Sequence, residues 1–140
     1  HALLLLLYNS GARVSEVIPL TRAQVCFDTS TFVHLMGKGR KERTVPLWHN
    51  TAQVLKAWFR ELGDPARGLA FPSARGKPLS RDGVDYLLKQ AVLRALPTCP
   101  NLAHQHISPH VIRHYLPFLT MSCRATPTQL SAEIREPIAT

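Results

Sequence analysis

The chain opens on an unbroken apolar run, Ala2 to Leu7, followed by the polar pair Asn9-Ser10 and then Gly11. A helix with no polar face is buried on all sides, and a glycine just past its end supplies the left-handed residue that stops it. The pattern predicts a core helix ending at Gly11 and a short second helix over about 13–20, with Arg13 near its start. QVCFD, TFVHLM and RTVPLW come next, rich in β-branched and aromatic residues. They predict a three-stranded antiparallel sheet, with the turn GKGRK joining the last two strands. Asn50 or Thr51 is the expected cap of a helix through TAQVLKAWFREL, which Gly63 ends. An extended segment and loop, GLAFPSARGKPLS, leads to Ser80, the expected opening of a further helix. There Val84, Leu87, Leu88, Val92 and Leu96 recur at helical spacing. PTCPNLAHQHI reads as a loop. In SPHVIRHYL, Ser108 is placed to cap a helix and Pro109 to fill its first position. Beyond Leu119 the period is lost while Ser, Thr and Pro accumulate, which predicts a poorly ordered tail over 120–140 after one domain over 1–119. The fold class expected is α+β, mostly α, with one small antiparallel sheet.

Composition narrows the partners. The 140 residues are 45% hydrophobic, enough for one folded domain with a single core. Lys and Arg number 17 against 9 acidic residues, a net charge of +8. The excess concentrates in 38–43 and 75–81, which suits a polyanion: nucleic acid first, an anionic membrane surface second. Cys26, Cys99 and Cys123 are odd in number, far apart and without a CxxC spacing. That pattern fits neither a disulfide framework nor a cysteine-rich zinc site, and it predicts a reducing, cytoplasmic setting. The apolar run at the start is too short to span a bilayer, so no membrane role is expected. With no initiator Met, the chain reads as a piece of something longer.

Three short stretches carry candidate chemistry. His110 and Arg113 lie three apart, so they share a face of the first turn opened by Ser108-Pro109, and His114 adjoins them. First-turn N–H groups lack intrahelical partners and the helix dipole is positive there, which favours a phosphate. Arg13 follows Gly11 and precedes Glu16, whose carboxylate at i+3 is placed to orient the guanidinium. Lys38 sits on a glycine-flanked hairpin tip, where the turn can approach a ligand closely. A rival reading takes His104, His106, His110 and His114 as zinc ligands, but no neighbouring carboxylate or cysteine completes the set, and no metal is assigned.

Taken in order, "YNSGARVSEVIPLT", "MGKGRKERTVPL" and "ISPHVIRH" resemble the catalytic domain of the tyrosine recombinases, the phage-integrase and Xer-like family, over about residues 1–114. The resemblance implies that Arg13 and Arg113 bind a scissile DNA phosphate. It implies that His110 is the HxxR histidine and that Lys38 protonates the leaving oxygen. In that family a tyrosine attacks the phosphate to give a 3′-phosphotyrosyl intermediate, and a 5′-hydroxyl reverses the step without metal or cofactor. The implied partners are double-stranded DNA and other recombinase protomers, with no small-molecule substrate. Arg40, Lys41, Arg43, Arg75, Lys77, Arg81 and His114 are the expected contacts to neighbouring backbone phosphates.

The family pattern continues with an LGH-like block and the nucleophilic tyrosine. After His114 this sequence has neither, and its three tyrosines are Tyr8, Tyr86 and Tyr115. Tyr8 and Tyr86 read as packing residues, and Tyr115 falls too soon after Arg113. The expectation is therefore an incomplete recombinase whose C-terminal part is lost, by frameshift or truncation. Such a chain needs a tyrosine from another protomer to cleave DNA. The alternative is a non-catalytic DNA-binding or assembly module.

Overall fold

The apolar run forms helix α1, Ala2–Ser10, in the computed structural model of the chain, which describes residues 1–63 and 68–113. Ala2, Leu3, Leu6 and Leu7 are buried. Gly11 ends the helix as expected, at φ 58°, with its N–H donating to the Leu7 carbonyl at 3.0 Å. The second helix, α2, is shorter than expected and spans only Val14–Val17. Pro19 explains the stop, because it has no N–H to donate back into the next turn.

The three strands form as expected. They are β1, Val25–Phe27; β2, Thr31–Met36; and β3, Glu42–Pro46, in the order β1-β2-β3 with both pairings antiparallel. Val33 sits opposite both Val25 and Val45, and Val33 and Leu35 are the buried positions of the central strand. One face of the sheet therefore enters the core, the outcome the period-two pattern dictates.

Helix α3, His49–Glu61, begins earlier than its expected caps, with Trp48 in the flanking position. Thr51 is buried within the first turn, and its hydroxyl has no hydrogen-bond partner among the described residues. Helix α4, Arg81–Ala95, opens on Ser80 as expected, whose hydroxyl accepts from the Gly83 N–H at 3.0 Å. Val84 and Leu88 are its buried positions. Tyr86 is exposed, which corrects its reading as a packing residue, and Leu87 of the apolar spacing is exposed as well. The reason is helical geometry: the buried positions of α4, Val84 and Leu88, lie one turn apart on one face, and Tyr86, two residues from each, falls on the opposite face.

The segment between α3 and α4 is tied down by bridges at Thr21 with Leu69 and at Pro72 with Pro78, and a 3-10 turn over Pro100–His104 interrupts the expected loop. A helical turn at 109–113 closes the described chain, with the Ser108 hydroxyl accepting from the Val111 N–H at 3.3 Å. Leu6, Leu20, Leu35, Leu55 and Val84 join α1, the sheet, α3 and α4 in one core. His114, Tyr115 and the expected division at 119/120 lie outside the described residues. Among the described residues, no helix is long and apolar enough to cross a membrane.

Candidate functional site

Arg13 occupies the corner between α1 and α2, held there through its backbone. Gly11 turns the chain, Arg13 is extended at φ −76° and ψ 149°, and α2 starts one residue later. Two bonds fix the corner. The Glu16 N–H donates to the Arg13 carbonyl at 2.9 Å, and the Glu16 carboxylate accepts the Arg13 N–H at 2.7 Å. The Arg13 side chain remains 57% exposed.

A cleft of about 380 Å³ lies against this corner. Ala12 to Ser15 form one wall, Arg81 and Asp85 of α4 a second, and Ser108, Pro109, His110 and Arg113 the third. The fold thus brings Arg13 to the same hollow as His110 and Arg113, although about a hundred positions separate them in sequence. Arg81, expected on a flanking phosphate, lines the cleft itself. Ser15, from the stretch that carries Arg13, joins the lining, and so does Asp85, which no motif announces. The i,i+4 spacing of Arg81 and Asp85 is the signal that could have placed Asp85 on that face. Three guanidiniums and one carboxylate leave the hollow net cationic, suited to a ligand with a diffuse double or single negative charge.

Lys38 is not among the lining residues. It is exposed on the hairpin between β2 and β3, whose tip is a tight turn over Lys38–Arg40. The Gly37 N–H donates to the Lys41 carbonyl at 2.9 Å, closing that hairpin. Gly39 and Arg40 follow each other in the left-handed region, at φ 76° and 58°. Arg40 and Lys41 are exposed beside Lys38. Arg43 is engaged elsewhere: its guanidinium donates to Glu16 Oε2 at 2.9 Å. Arg75 and Lys77 are exposed on a separate turn, where Ser73 N–H donates to the Lys77 carbonyl at 2.7 Å.

Glu16 is the electrostatic centre of this region. Burial alone would push its carboxyl up, but the Arg13 backbone N–H and the Arg43 guanidinium outweigh that and hold it below the usual carboxylate range. Spacing in the sequence points to Arg13, three positions earlier, as its partner. The structure instead gives the short ion pair to Arg43, and Arg13 Nη1 stands 3.9 Å from the carboxylate. No three His, Cys, Asp or Glu side chains gather as a metal site among the described residues.

A mostly helical domain carrying a small three-stranded antiparallel sheet is the fold of tyrosine recombinase catalytic domains. It superimposes on the XerA recombinase with a TM-score of 0.69 at 20% identity, over 94% of this chain and 46% of that one. Against XerH bound to a palindromic difH substrate, in a post-cleavage complex, the TM-score is 0.63 at 26% identity, over 85% of this chain and 33% of that one. Residues 1–119 match the phage integrase family, and the chain belongs to it. Among curated relatives, the Sinorhizobium fredii protein y4rC, designated an integrase/recombinase, is 39% identical over 114 residues, which are 81% of this chain and 34% of y4rC. The tyrosine recombinase XerC of Xanthomonas campestris is 35% identical over 114 residues, again 81% of this chain and 33% of the relative. The chain thus spans about a third of the length of these two relatives.

Proposed function

We propose that the chain is the phosphate-activating part of a site-specific DNA recombinase that acts in the cytoplasm on double-stranded DNA together with other protomers. The observation that carries this reading is the sharing of one cleft by Arg13, His110 and Arg113. The recombinase designations of the relatives and the DNA-bound state of XerH support DNA as the polyanion.

In this reading Arg13 and Arg113 bind the nonbridging oxygens of the scissile phosphate. In-line attack builds charge on those oxygens, and a guanidinium binds them in forked pairs while staying charged at any relevant pH. A tyrosine oxygen attacks phosphorus, the bond to the 5′ oxygen breaks, and a 3′-phosphotyrosyl linkage replaces the phosphodiester. His110 donates to the phosphate or carries the tyrosine's proton, and Lys38 delivers a proton to the departing 5′ oxygen. Attack by another strand's 5′-hydroxyl reverses each transfer, so one phosphodiester is exchanged for another and no cofactor is consumed.

Tyr8 packs edge-on against Trp48, with ring centroids 5.6 Å apart, and Tyr86 is on an exposed face of α4. Neither lines the cleft. In this reading the attacking tyrosine is neither of these two, and the test below supplies it from a relative.

The test is complementation on a nicked duplex that traps the cleaved state. A full-length relative that keeps its tyrosine but lacks its own active-site arginines is mixed with this chain. The expected result is a covalent DNA adduct on the relative, formed only when this chain is present and lost with Arg13→Ala. Salt-sensitive duplex binding without any such adduct would overturn the catalytic reading and leave the non-catalytic DNA-binding module.

A further inference from the structure

The Arg43–Glu16 pair bears on whether Arg13 is available to a ligand. Only 5% of the Glu16 side chain is exposed, and a buried carboxylate is costly unless a cation neutralises it. Two arginines are within reach. Arg43 Nη2 is 2.9 Å from Oε2, a charge-assisted hydrogen bond, whereas Arg13 Nη1 at 3.9 Å from Oε1 is too long for one. The same Oε2 takes the Arg13 backbone N–H at 2.7 Å. Glu16 therefore grips the Arg13 backbone while leaving its guanidinium only loosely held. The hairpin lies on the other side: a Cβ on Gly37 would stand 3.1 Å from Oε1, so the chain entering the Lys38 turn runs close beside this carboxylate and leaves no room there for a side chain.

We infer that Arg43 is a positioning residue, which satisfies Glu16 and thereby keeps the Arg13 guanidinium directed to the phosphate cleft instead of collapsed onto the carboxylate. The inference rests on the reading of that cleft as a phosphate site. It reassigns Arg43 from the backbone-phosphate contacts to which charge clustering led. Without Arg43, the arginine that remains within reach of the buried charge is Arg13. Pairing with it would shorten the 3.9 Å separation and draw the guanidinium out of the hollow.

Two measurements on the full chain test this. The first follows the Arg13 side-chain N–H by NMR with ¹⁵N-labelled arginine and needs no DNA. Arg43→Gln should shift that resonance and slow its exchange with water. Adding Glu16→Gln should reverse both changes, and Arg43→Lys should stay near the wild type. The second is duplex affinity by fluorescence anisotropy. Arg43→Gln should weaken binding roughly three- to tenfold, Glu16→Gln should restore it, and the loss should shrink in an Arg13→Ala background. Glu61→Gln, which removes an exposed acid elsewhere, controls for a general charge effect and should not restore binding.

An Arg43→Gln loss that persists with Glu16→Gln and is undiminished with Arg13→Ala would mark Arg43 as a direct DNA contact and overturn the inference. An Arg13 resonance unmoved by Arg43→Gln would overturn it as well. If the wild-type chain binds no duplex, the phosphate-site reading fails, while the NMR result still decides the role of Arg43.

Discussion

The side chain of Asn9, at the end of α1, bridges two backbone groups next to α3: its oxygen accepts the Trp48 N–H at 2.7 Å and its amide donates to the Pro46 carbonyl at 3.3 Å. One amide thereby fastens the end of β3 and the start of α3 to the corner that holds Arg13. This contact also fixes the entry to α3 without either of the local caps that the sequence offered. Asn9→Ala should lower stability by about 1 kcal/mol, the net value of an ordinary hydrogen bond, with the fold retained. Chemical denaturation checks this, and a change within error of zero would show that water replaces the bridge.

Glu16 should make stability depend on pH. Its folded carboxyl titrates below the ordinary range despite burial, because the Arg13 N–H and the Arg43 guanidinium favour the charged form. A depressed folded value means the unfolded chain binds the proton more readily. The stabilisation is then fully present above the unfolded carboxylate range and is lost as pH falls through the folded value. Denaturation followed from neutrality down through the carboxylate range should show a decline that is shallower in Glu16→Gln. Parallel curves for the two proteins would refute the assignment.

Two glycines of the hairpin should respond differently to the same methyl group. At Gly39, φ is 76° and nothing lies within 4 Å of where a Cβ would stand, so Gly39→Ala meets only backbone strain. Its cost should be about 1 kcal/mol. At Gly37 the obstacle is Glu16 Oε1 at 3.1 Å, so the methyl acts on the carboxylate and not on the backbone. Gly37→Ala should therefore perturb the Arg13 side-chain resonance, and Gly39→Ala should leave it in place. Equal perturbation by both would mean the hairpin communicates with Arg13 by a route other than Glu16.

The elements legible in the sequence are those whose cause is local. Gly11 needs a left-handed stop, Ser80 needs only the Gly83 N–H three residues on, and the β-branched and aromatic content of β1, β2 and β3 marks them as strands. What the sequence concealed depends on partners far along the chain. The start of α3 is set by Asn9, 39 positions before Trp48. The close partner of Glu16 is Arg43, 27 positions on, and not the adjacent Arg13. Charge clustering placed Arg43 with Arg40 and Lys41 because position in a basic run carries no information about which side chain turns inward. The candidate site shows the same division. The motif residues Arg13, His110 and Arg113 were legible as types, whereas Asp85 joins them only because α4 packs against α2.

Lys38 and Arg13 should separate by the chemistry they serve. Arg13 lines the cleft and is proposed to hold nonbridging oxygens, whose charge grows whatever atom departs. Lys38 is exposed on the hairpin, outside the cleft lining, and is proposed to supply a proton to the 5′ oxygen. An alkoxide is a poor leaving group and needs that proton, while a thiolate is stable enough to leave without it. In the complemented cleavage reaction, Lys38→Ala should slow an ordinary substrate about 10²–10⁴-fold, the range for general acid catalysis. A substrate with sulfur in place of the bridging 5′ oxygen should recover most of that loss. Arg13→Ala should cost about 10²–10³-fold on both substrates, since electrostatic support of the phosphoryl oxygens is needed in either case. Rescue of Arg13→Ala by sulfur, or no rescue of Lys38→Ala, would mean that the two residues do not divide the work between phosphate and leaving group.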